Sequence, residues 1–199
     1  MPRSSAFRAI DDPTRPGQPI DIAHYLCAYV TPNAPLVMQV LRRAVEHHRA
    51  RAFGGYQSSA SGVRAQVKAI YDALRERGMA YVNSVTVYGQ HLGEIVQRVR
   101  LPRESLERRS ANCLDGTVLF ASLLEAASLK PVLVLLERHA LVGWATTPDA
   151  GAFEFVETTA FADKSFEDAM ALGGQQAGSR HAYLVSVANA RQDGIWPME

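Results

Sequence analysis

The segment 113–127 constrains the fold more than any other part of this chain. Apolar side chains fall on almost every side of a helix drawn through it, at Leu114, Val118, Leu119, Phe120, Ala121, Leu123 and Leu124. A helix that is apolar all round has to be buried, because no face of it is suited to water. Asn112 is a favoured capping residue, and Pro131 cannot continue a helix. The sequence therefore predicts a buried central helix that opens at Asn112-Cys113 and runs to about Ala127.

The residues after this helix predict antiparallel strands. Segment 132–136 is a short continuous apolar run, which is typical of a central strand. Segments 139–145 and 153–157 predict two more strands joined through turn candidates. A helix over 165–172 and a strand over 183–187 follow. The order predicts an α+β fold in which the central helix packs on an antiparallel sheet.

Helices are also predicted before this unit. Asn33 can cap the first one, which is expected to end at Gly54-Gly55, and the second covers about 62–77. β-Branched and aromatic residues predict an extended segment over 80–88. A short helix over 102–109 then leads to Asn112.

We expect a single domain over residues 20–199. The helices of 20–78 would form an accessory layer on a core made of 79–199. Residues 1–19 contain several prolines and no periodic apolar pattern, so they are expected to be an irregular leader.

Composition narrows the classes of function. There are 21 basic and 20 acidic side chains, a net charge of +1, and this balance argues against nucleic-acid and membrane partners. The two cysteines, Cys27 and Cys113, are too few for a secreted disulfide framework. The N-terminus has no apolar signal region, so the chain is expected to be cytoplasmic and reduced. Paired metal-binding motifs and glycine-rich phosphate loops are absent from the sequence, and no metal or cofactor is predicted.

A free thiol in such a protein is a candidate for chemistry, and Cys113 has a suitable place. It falls at the first position of the predicted helix, where unpaired N–H groups and the helix dipole favour a thiolate. Asn112 can accept hydrogen bonds from the first-turn amides, and Asp115 is expected to complete an approximate capping box.

His139 and Glu157 complete a plausible set of reactive groups. His139 begins the strand after the central hairpin, and Glu157 ends the next strand. The order Cys, His, acid matches the nucleophile, base and orienting acid of a catalytic triad. From spacing alone, plain packing of Cys113 and an ordinary polar role for His139 stay open, and Glu154 competes with Glu157 for the acid's role.

Several motifs resemble those of bacterial transglutaminase-like domains, which belong to the papain-like cysteine hydrolases. They are Asn112-Cys113-Leu114-Asp115-Gly116, Leu129-Lys130-Pro131, His139-Ala140-Leu141-Val142-Gly143-Trp144 and Val156-Glu157-Thr158-Thr159. The resemblance covers about residues 22–197, with its motifs concentrated in 97–159. It implies that a nucleophile helix packs on an antiparallel sheet and that Cys113, His139 and Glu157 form the triad.

The same resemblance gives roles to Gln97 and Asn112. Gln97 precedes the nucleophile in the segment 97–102 and would help to form an oxyanion hole through its side-chain N–H. A plain exposed glutamine is the alternative. Asn112 would position the start of the nucleophile helix.

The chain departs from the family's usual pattern at a few positions. Ser128 stands where a helix-ending Gly is usual, and Glu157 stands where many relatives have Asp. Arg138 occupies a frequent Gly position, and a cation beside His139 is expected to lower the pKa of the imidazole.

The function implied by the resemblance is that of a cysteine peptidase or amidase. It would act on a protein or peptide amide through a thioester. Two alternatives remain: an amine-transferring transglutaminase, disfavoured because the sequence lacks a calcium-site pattern, and a catalytically weak domain that binds a peptide or a partner protein.

Overall fold

The fold is α+β, with a four-stranded antiparallel sheet packed against one buried helix. The computed structural model describes residues 10–11, 19–20, 22–83, 87–88, 95–96 and 98–199. Among these residues, no helix has both the length and the apolar character needed to span a membrane.

The bounds of the described elements are as follows. The α-helices are α1 Pro35–His47, α2 Ala60–Glu76, α3 Pro102–Arg108, α4 Cys113–Ala126, α5 Phe166–Ala177 and α6 Val187–Gln192. Short 3-10 helices cover Ala23–Tyr29, Gly55–Gln57 and Thr158–Ala160. The strands are β1 Ile10–Asp11, β2 Pro19–Ile20, β3 Ala80–Tyr81, β4 Val87–Tyr88, β5 Ile95–Val96, β6 Ser110–Ala111, β7 Pro131–Leu135, β8 Ala140–Ala145, β9 Phe153–Val156 and β10 Tyr183–Ser186.

The main sheet has the strand order β10-β7-β8-β9, and every neighbouring pair is antiparallel. The amide of Leu136 donates to the carbonyl of His139 at 2.8 Å and closes the β7–β8 hairpin. In the next pair, Val142 lies opposite Val156. This register brings the beginning of β8 and the end of β9 to the same end of the sheet.

Helix α4 lies against β7 and β8, and it is also contacted by α1 and α3. It is buried from Leu114 to Leu124, as its apolar circumference predicts. The buried central helix on an antiparallel sheet is therefore confirmed. Helices α1 and α2 pack on each other, and one continuous hydrophobic cluster joins them to α4 and the sheet.

The first helix differs from its prediction at both ends. Ala34, not Asn33, is the N-cap of α1, and Pro35 occupies the first turn, where a missing N–H costs nothing. The helix ends at His47, well before Gly54-Gly55. Segment 46–52 has no apolar stripe to bury, so tertiary packing does not extend the helix.

Helix α5 was predicted too short, because it continues through Gly173-Gly174 to Ala177. A Cβ on Gly173 would lie 2.8 Å from the backbone of Val156. This glycine therefore permits close packing of α5 on β9 and does not stop the helix.

Candidate active site

Cys113 is the first residue of α4, and its side chain is partly exposed. Asn112 caps the helix: its side-chain oxygen accepts the Asp115 amide at 2.8 Å, and its carbonyl accepts the Gly116 amide at 2.9 Å. The predicted cap is confirmed. These bonds fix the backbone that carries the thiol at the positive end of the helix dipole.

The backbone of Asn112 lowers the pKa of the Asp115 carboxyl, as the approximate capping box predicts, but burial and Arg100 have larger effects on this carboxyl. Its Oδ1 accepts the Arg100 amide at 2.9 Å, and its Oδ2 lies 3.7 Å from Arg100 Nε. Asp115 is fully buried, and burial raises its pKa while Arg100 opposes that change. A buried carboxylate needs donors and a cation, and Arg100 supplies both. The contact ties the segment before α3 to the first turn of α4.

His139 and Glu157 meet at one end of the sheet. His139 directly precedes β8, and Glu157 directly follows β9 and caps the 3-10 helix Thr158–Ala160. His139 Nε2 lies 2.7 Å from Glu157 Oε2. The antiparallel register of β8 and β9 therefore brings together two residues that the sequence separates by a whole hairpin.

The side chain of Cys113 is the other neighbour of the imidazole, and it has the largest effect on the pKa of His139. Because Glu157 engages Nε2, Nδ1 is the ring nitrogen left for the thiol. The interaction with Cys113, and then the hydrogen bond to Glu157, raise the pKa of His139 to about 10, although burial opposes the change. The expectation that Arg138 lowers this pKa is wrong. Arg138 is exposed, and the interactions of the imidazole with Cys113 and Glu157 dominate.

Glu157 is almost completely buried, with 3% of its surface exposed. Burial raises the pKa of its carboxyl, but hydrogen bonds from His139 and Thr159 outweigh burial and the pKa is lowered. Oε1 accepts both the amide and the hydroxyl of Thr159 at 2.8 Å. Glu157 is thus held as an ionised carboxylate with one oxygen anchored and the other directed at His139.

Glu154 takes no part in this arrangement. It forms an ion pair with Arg64 of α2. Glu157 is therefore the carboxylate that contacts His139.

A close approach of α4 to the turn after Glu157 brings the three side chains together. A Cβ on Gly116 would lie 3.0 Å from Thr158 Oγ1. A side chain at residue 116 would therefore crowd Thr158, and glycine leaves this contact relaxed.

A cavity of about 290 Å³ opens beside the imidazole. Eight residues line it: His139, Glu157, Thr159, Ala160, Asp163, Lys164, Leu172 and Gln176. Cys113 does not line the cavity, which therefore lies on the flank of His139 and Glu157.

Tyr81 is a neighbour of the site that the sequence did not single out. Strand β3 pairs in parallel with β6, and Tyr81 stands opposite Ala111, just before Cys113. Burial raises the pKa of Tyr81, and the negative charge of Cys113 and Glu157 raises it further. Its ring is 46% exposed at the rim of the site. No local sequence pattern predicts the pairing of β3 with β6.

The sequence also singled out Gln97 and Cys27. Gln97 lies outside the described residues, so its oxyanion role remains a prediction. Cys27 is completely buried, and burial raises the pKa of its thiol to about 12. It packs in the core, as its apolar neighbours in the sequence predict.

No protein-family model matches this chain, and no curated protein matches its sequence.

Proposed function

We propose that this protein is a cysteine hydrolase, a peptidase or amidase of transglutaminase-like fold, with Cys113, His139 and Glu157 as its triad. The observation that carries the proposal is the placement of one imidazole between a thiol and a buried carboxylate. His139 is hydrogen-bonded to Glu157, and Cys113 has the largest effect on the pKa of its imidazole. A thiol at a helix start, a base and an orienting acid make up the set that nucleophilic acyl transfer needs.

In the first half-reaction the Cys113 sulfur attacks the carbonyl carbon of an amide. The proton of the thiol is held by His139, whose imidazolium then transfers it to the departing amine nitrogen. The C–N bond breaks, and the acyl group remains on sulfur as a thioester. Glu157 holds the ring so that Nδ1 faces the thiol and stabilises the imidazolium charge.

The negative charge on the carbonyl oxygen needs donors close to Cys113. The amides of Asp115 and Gly116 are already bonded to Asn112. We therefore assign the backbone amide of Cys113 to the oxyanion, where the positive end of α4 adds to its effect. Gln97 is the second donor in this proposal, as the family resemblance implies.

Water resolves the thioester in the second half-reaction. His139 accepts a proton from water as the oxygen attacks the acyl carbon, and the sulfur leaves as thiolate. An amine that entered in place of water would give transfer instead of hydrolysis. The partly exposed Cys113 and His139 give water access, which supports hydrolysis.

The test is alkylation of the purified protein by iodoacetamide across pH, with the labelled cysteine identified by mass spectrometry. We expect Cys113 to react rapidly down to about pH 6 and to slow by at least ~10-fold in His139→Ala. Cys27 serves as the internal control, because it is buried in the same molecule and should stay unlabelled. Peptide libraries then identify the amide that is cleaved.

The proposal fails if Cys113 reacts at the same rate in wild type and His139→Ala over the whole pH range. The thiol would then be uncoupled from the imidazole, and a peptide-binding role would replace the catalytic one. A labelled amine added to the library separates transfer from hydrolysis, since only a transferase incorporates it.

A further inference from the structure

Two adjacent threonines follow Glu157, and their hydroxyl groups are used differently. Thr159 donates its hydroxyl to Glu157 Oε1 at 2.8 Å, and its backbone amide reaches the same oxygen at 2.8 Å. The Thr158 hydroxyl is buried and has no hydrogen-bond partner among the described residues. The hydroxyl of Thr159, and not that of its neighbour, is therefore part of the arrangement around the carboxylate.

The bonds from Thr159 determine which oxygen of Glu157 meets the imidazole. Both bonds end on Oε1, and the two lone pairs of a carboxylate oxygen accept two hydrogen bonds. Oε2 is then left for His139 Nε2 at 2.7 Å. A bond to the backbone amide alone would leave Oε1 with a free lone pair that competes with Oε2 for the ring.

These bonds act in a buried environment, where a hydrogen bond to a charged group is stronger than in water. Glu157 has only 3% of its surface exposed. Burial raises the pKa of its carboxyl, and the hydrogen bonds from His139 and Thr159 lower it. Without the Thr159 hydroxyl one of these bonds is lost, so the carboxyl should be protonated at a higher pH. The imidazole would lose its ionised partner at the same point.

Ionisable groups on several elements surround this carboxylate. They are His139 before β8, Cys113 of α4, the phenols of Tyr71 on α2 and Tyr81 on β3, Asp163 and Lys164 in the cavity lining, and the exposed Glu167 and Asp168 of α5. Thr159 itself carries no charge. A substitution at Thr159 leaves all of these groups in place, so a changed pH response of Glu157 in such a variant reports the lost hydrogen bond.

We propose that Thr159 is a positioning residue of the triad, whose hydroxyl fixes the Glu157 carboxylate so that Oε2 faces and orients His139. Thr159 acts through Glu157 and not on the substrate. This inference deepens the proposed function and rests on it for the role of the carboxylate. Serine supplies the same hydroxyl, whereas valine keeps the shape of threonine without it.

The first test detects the contact between the ring and the carboxylate directly. In the full chain carrying Cys113→Ala and isotope-labelled histidine, NMR follows the His139 Nε2 proton as the pH is lowered. The signal should persist to lower pH with Thr159→Ser than with Thr159→Val, because the carboxylate that holds this proton is protonated at higher pH in the valine variant. Thr158→Val is the matched control and should behave like its parent, since the hydroxyl that it removes makes no hydrogen bond.

Alanine at position 159 distinguishes the hydrogen bond from packing. Thr159 lines the cavity, so water can occupy the space left by a smaller side chain and donate to Oε1. Valine fills that space with a methyl group and excludes the water. We therefore expect the Nε2 signal to be lost at a higher pH in Thr159→Val than in Thr159→Ala. A packing role predicts the reverse order, because alanine removes more contact area than valine.

The same order should appear in the alkylation of Cys113 when the cysteine is restored. The acid limb of the profile of rate against pH should move to higher pH in Thr159→Val. At about pH 5 we expect a roughly tenfold loss of rate, the factor that corresponds to one hydrogen bond to a charged group. Thr159→Ser should keep the profile of the wild type.

An Nε2 signal in Thr159→Val that matches that in Thr159→Ser at every pH overturns the inference, and so does the order expected for packing. Neither result depends on a reactive thiol, because both are measured in Cys113→Ala. Failure of the positioning role is therefore distinct from failure of the cysteine hydrolase proposal, which the alkylation rates of wild type and His139→Ala decide.

Discussion

His139 Nε2 lies 2.7 Å from Glu157 Oε2, and the two side chains differ sharply in exposure. The glutamate side chain is 4% exposed, whereas the imidazole is 26% exposed. The carboxylate, which contacts the Nε2 side of the ring, is therefore shielded from solvent. The ring itself remains accessible to a substrate. This asymmetry suits an acid that orients a base without reacting itself.

Replacing Glu157 by Gln should impair the site, whereas the same change at Glu154 should not. Both His139 and Thr159 donate hydrogen bonds to Glu157. A glutamine at 157 has only one oxygen, so it can accept from one of these two donors, and its NH2 group then faces the other donor. We expect turnover of an amide substrate to fall by roughly 10²–10⁴-fold in Glu157→Gln. Glu154→Gln removes only the ion pair with Arg64. Equal rates in both variants would contradict the orienting role of Glu157.

Stability should depend on pH through His139. Its folded-state pKa of about 10 is higher than the ~6.5 of an unfolded histidine, so folding stabilises the imidazolium. This contribution is present in full below about pH 6.5 and is lost as the pH rises through about 10. The difference in free energy of unfolding between wild type and His139→Gln should therefore shrink over that range, as measured by urea unfolding.

Two further observations check the origin of this pH dependence. In Cys113→Ala the loss should be smaller and complete at a lower pH, because the largest cause of the raised pKa of His139 is removed. The NMR titration of the His139 ring should move in the same direction. A free-energy difference that stays constant between pH 6 and 10 would show that folding leaves the imidazole unperturbed.

The neighbouring glycines of α5 should respond in opposite ways to alanine. A Cβ at Gly173 would lie 2.8 Å from the Val156 backbone, which cannot yield easily, whereas a Cβ at Gly174 meets nothing within 4 Å. We expect Gly173→Ala to destabilise the protein by about 1–3 kcal/mol. Gly174→Ala should stabilise it by about 0.5–1 kcal/mol through helix propensity. Urea unfolding of the pair is the measurement, and similar values would mean that α5 does not pack tightly on β9.

The sequence predicts an element well when its apolar pattern is compatible with only one type of secondary structure. Helix α4 is apolar on all sides, and β7 is a continuous apolar run, so their types and approximate ends follow from the pattern. Of the two helix ends that were wrong, the one at Gly54-Gly55 was inferred from glycine, and the other was placed just before Gly173-Gly174. A glycine can serve close packing as well as helix termination, and only the tertiary neighbour distinguishes the two.

The three residues of the proposed triad could be predicted from their order in the chain and from their positions at the ends of predicted elements. Cys113 at a helix start and His139 and Glu157 at strand ends follow from local patterns and the family resemblance. Tyr81 and the contact between Arg100 and Asp115 do not, because each joins segments far apart in the chain with no periodicity to mark them.

Ser128 should be improved by glycine, the residue usual at this place in related patterns. It ends the turn after α4 with φ of 60°, in the left-handed region that favours glycine. Ser128→Gly should raise the free energy of unfolding by about 0.5–1 kcal/mol, since the relief of strain exceeds the added entropy of the unfolded chain. Ser128→Ala keeps a Cβ and should give no gain. A gain of equal size from alanine would assign the effect to loss of the hydroxyl instead.

The approach of α4 to Thr158 should control the reactivity of Cys113. A Cβ at Gly116 would lie 3.0 Å from Thr158 Oγ1 and 3.3 Å from Thr158 Cβ, so Gly116→Ala has to displace the first turn of α4 or the turn after Glu157. Either movement lengthens the contact between Cys113 and His139, and we expect alkylation at pH 6 to slow by about tenfold. Thr158→Ala in the same chain removes the nearer atom and should restore most of the rate. If Gly116→Ala alone reacts like wild type, the first turn adjusts without moving the thiol, and the close approach is not what aligns the pair.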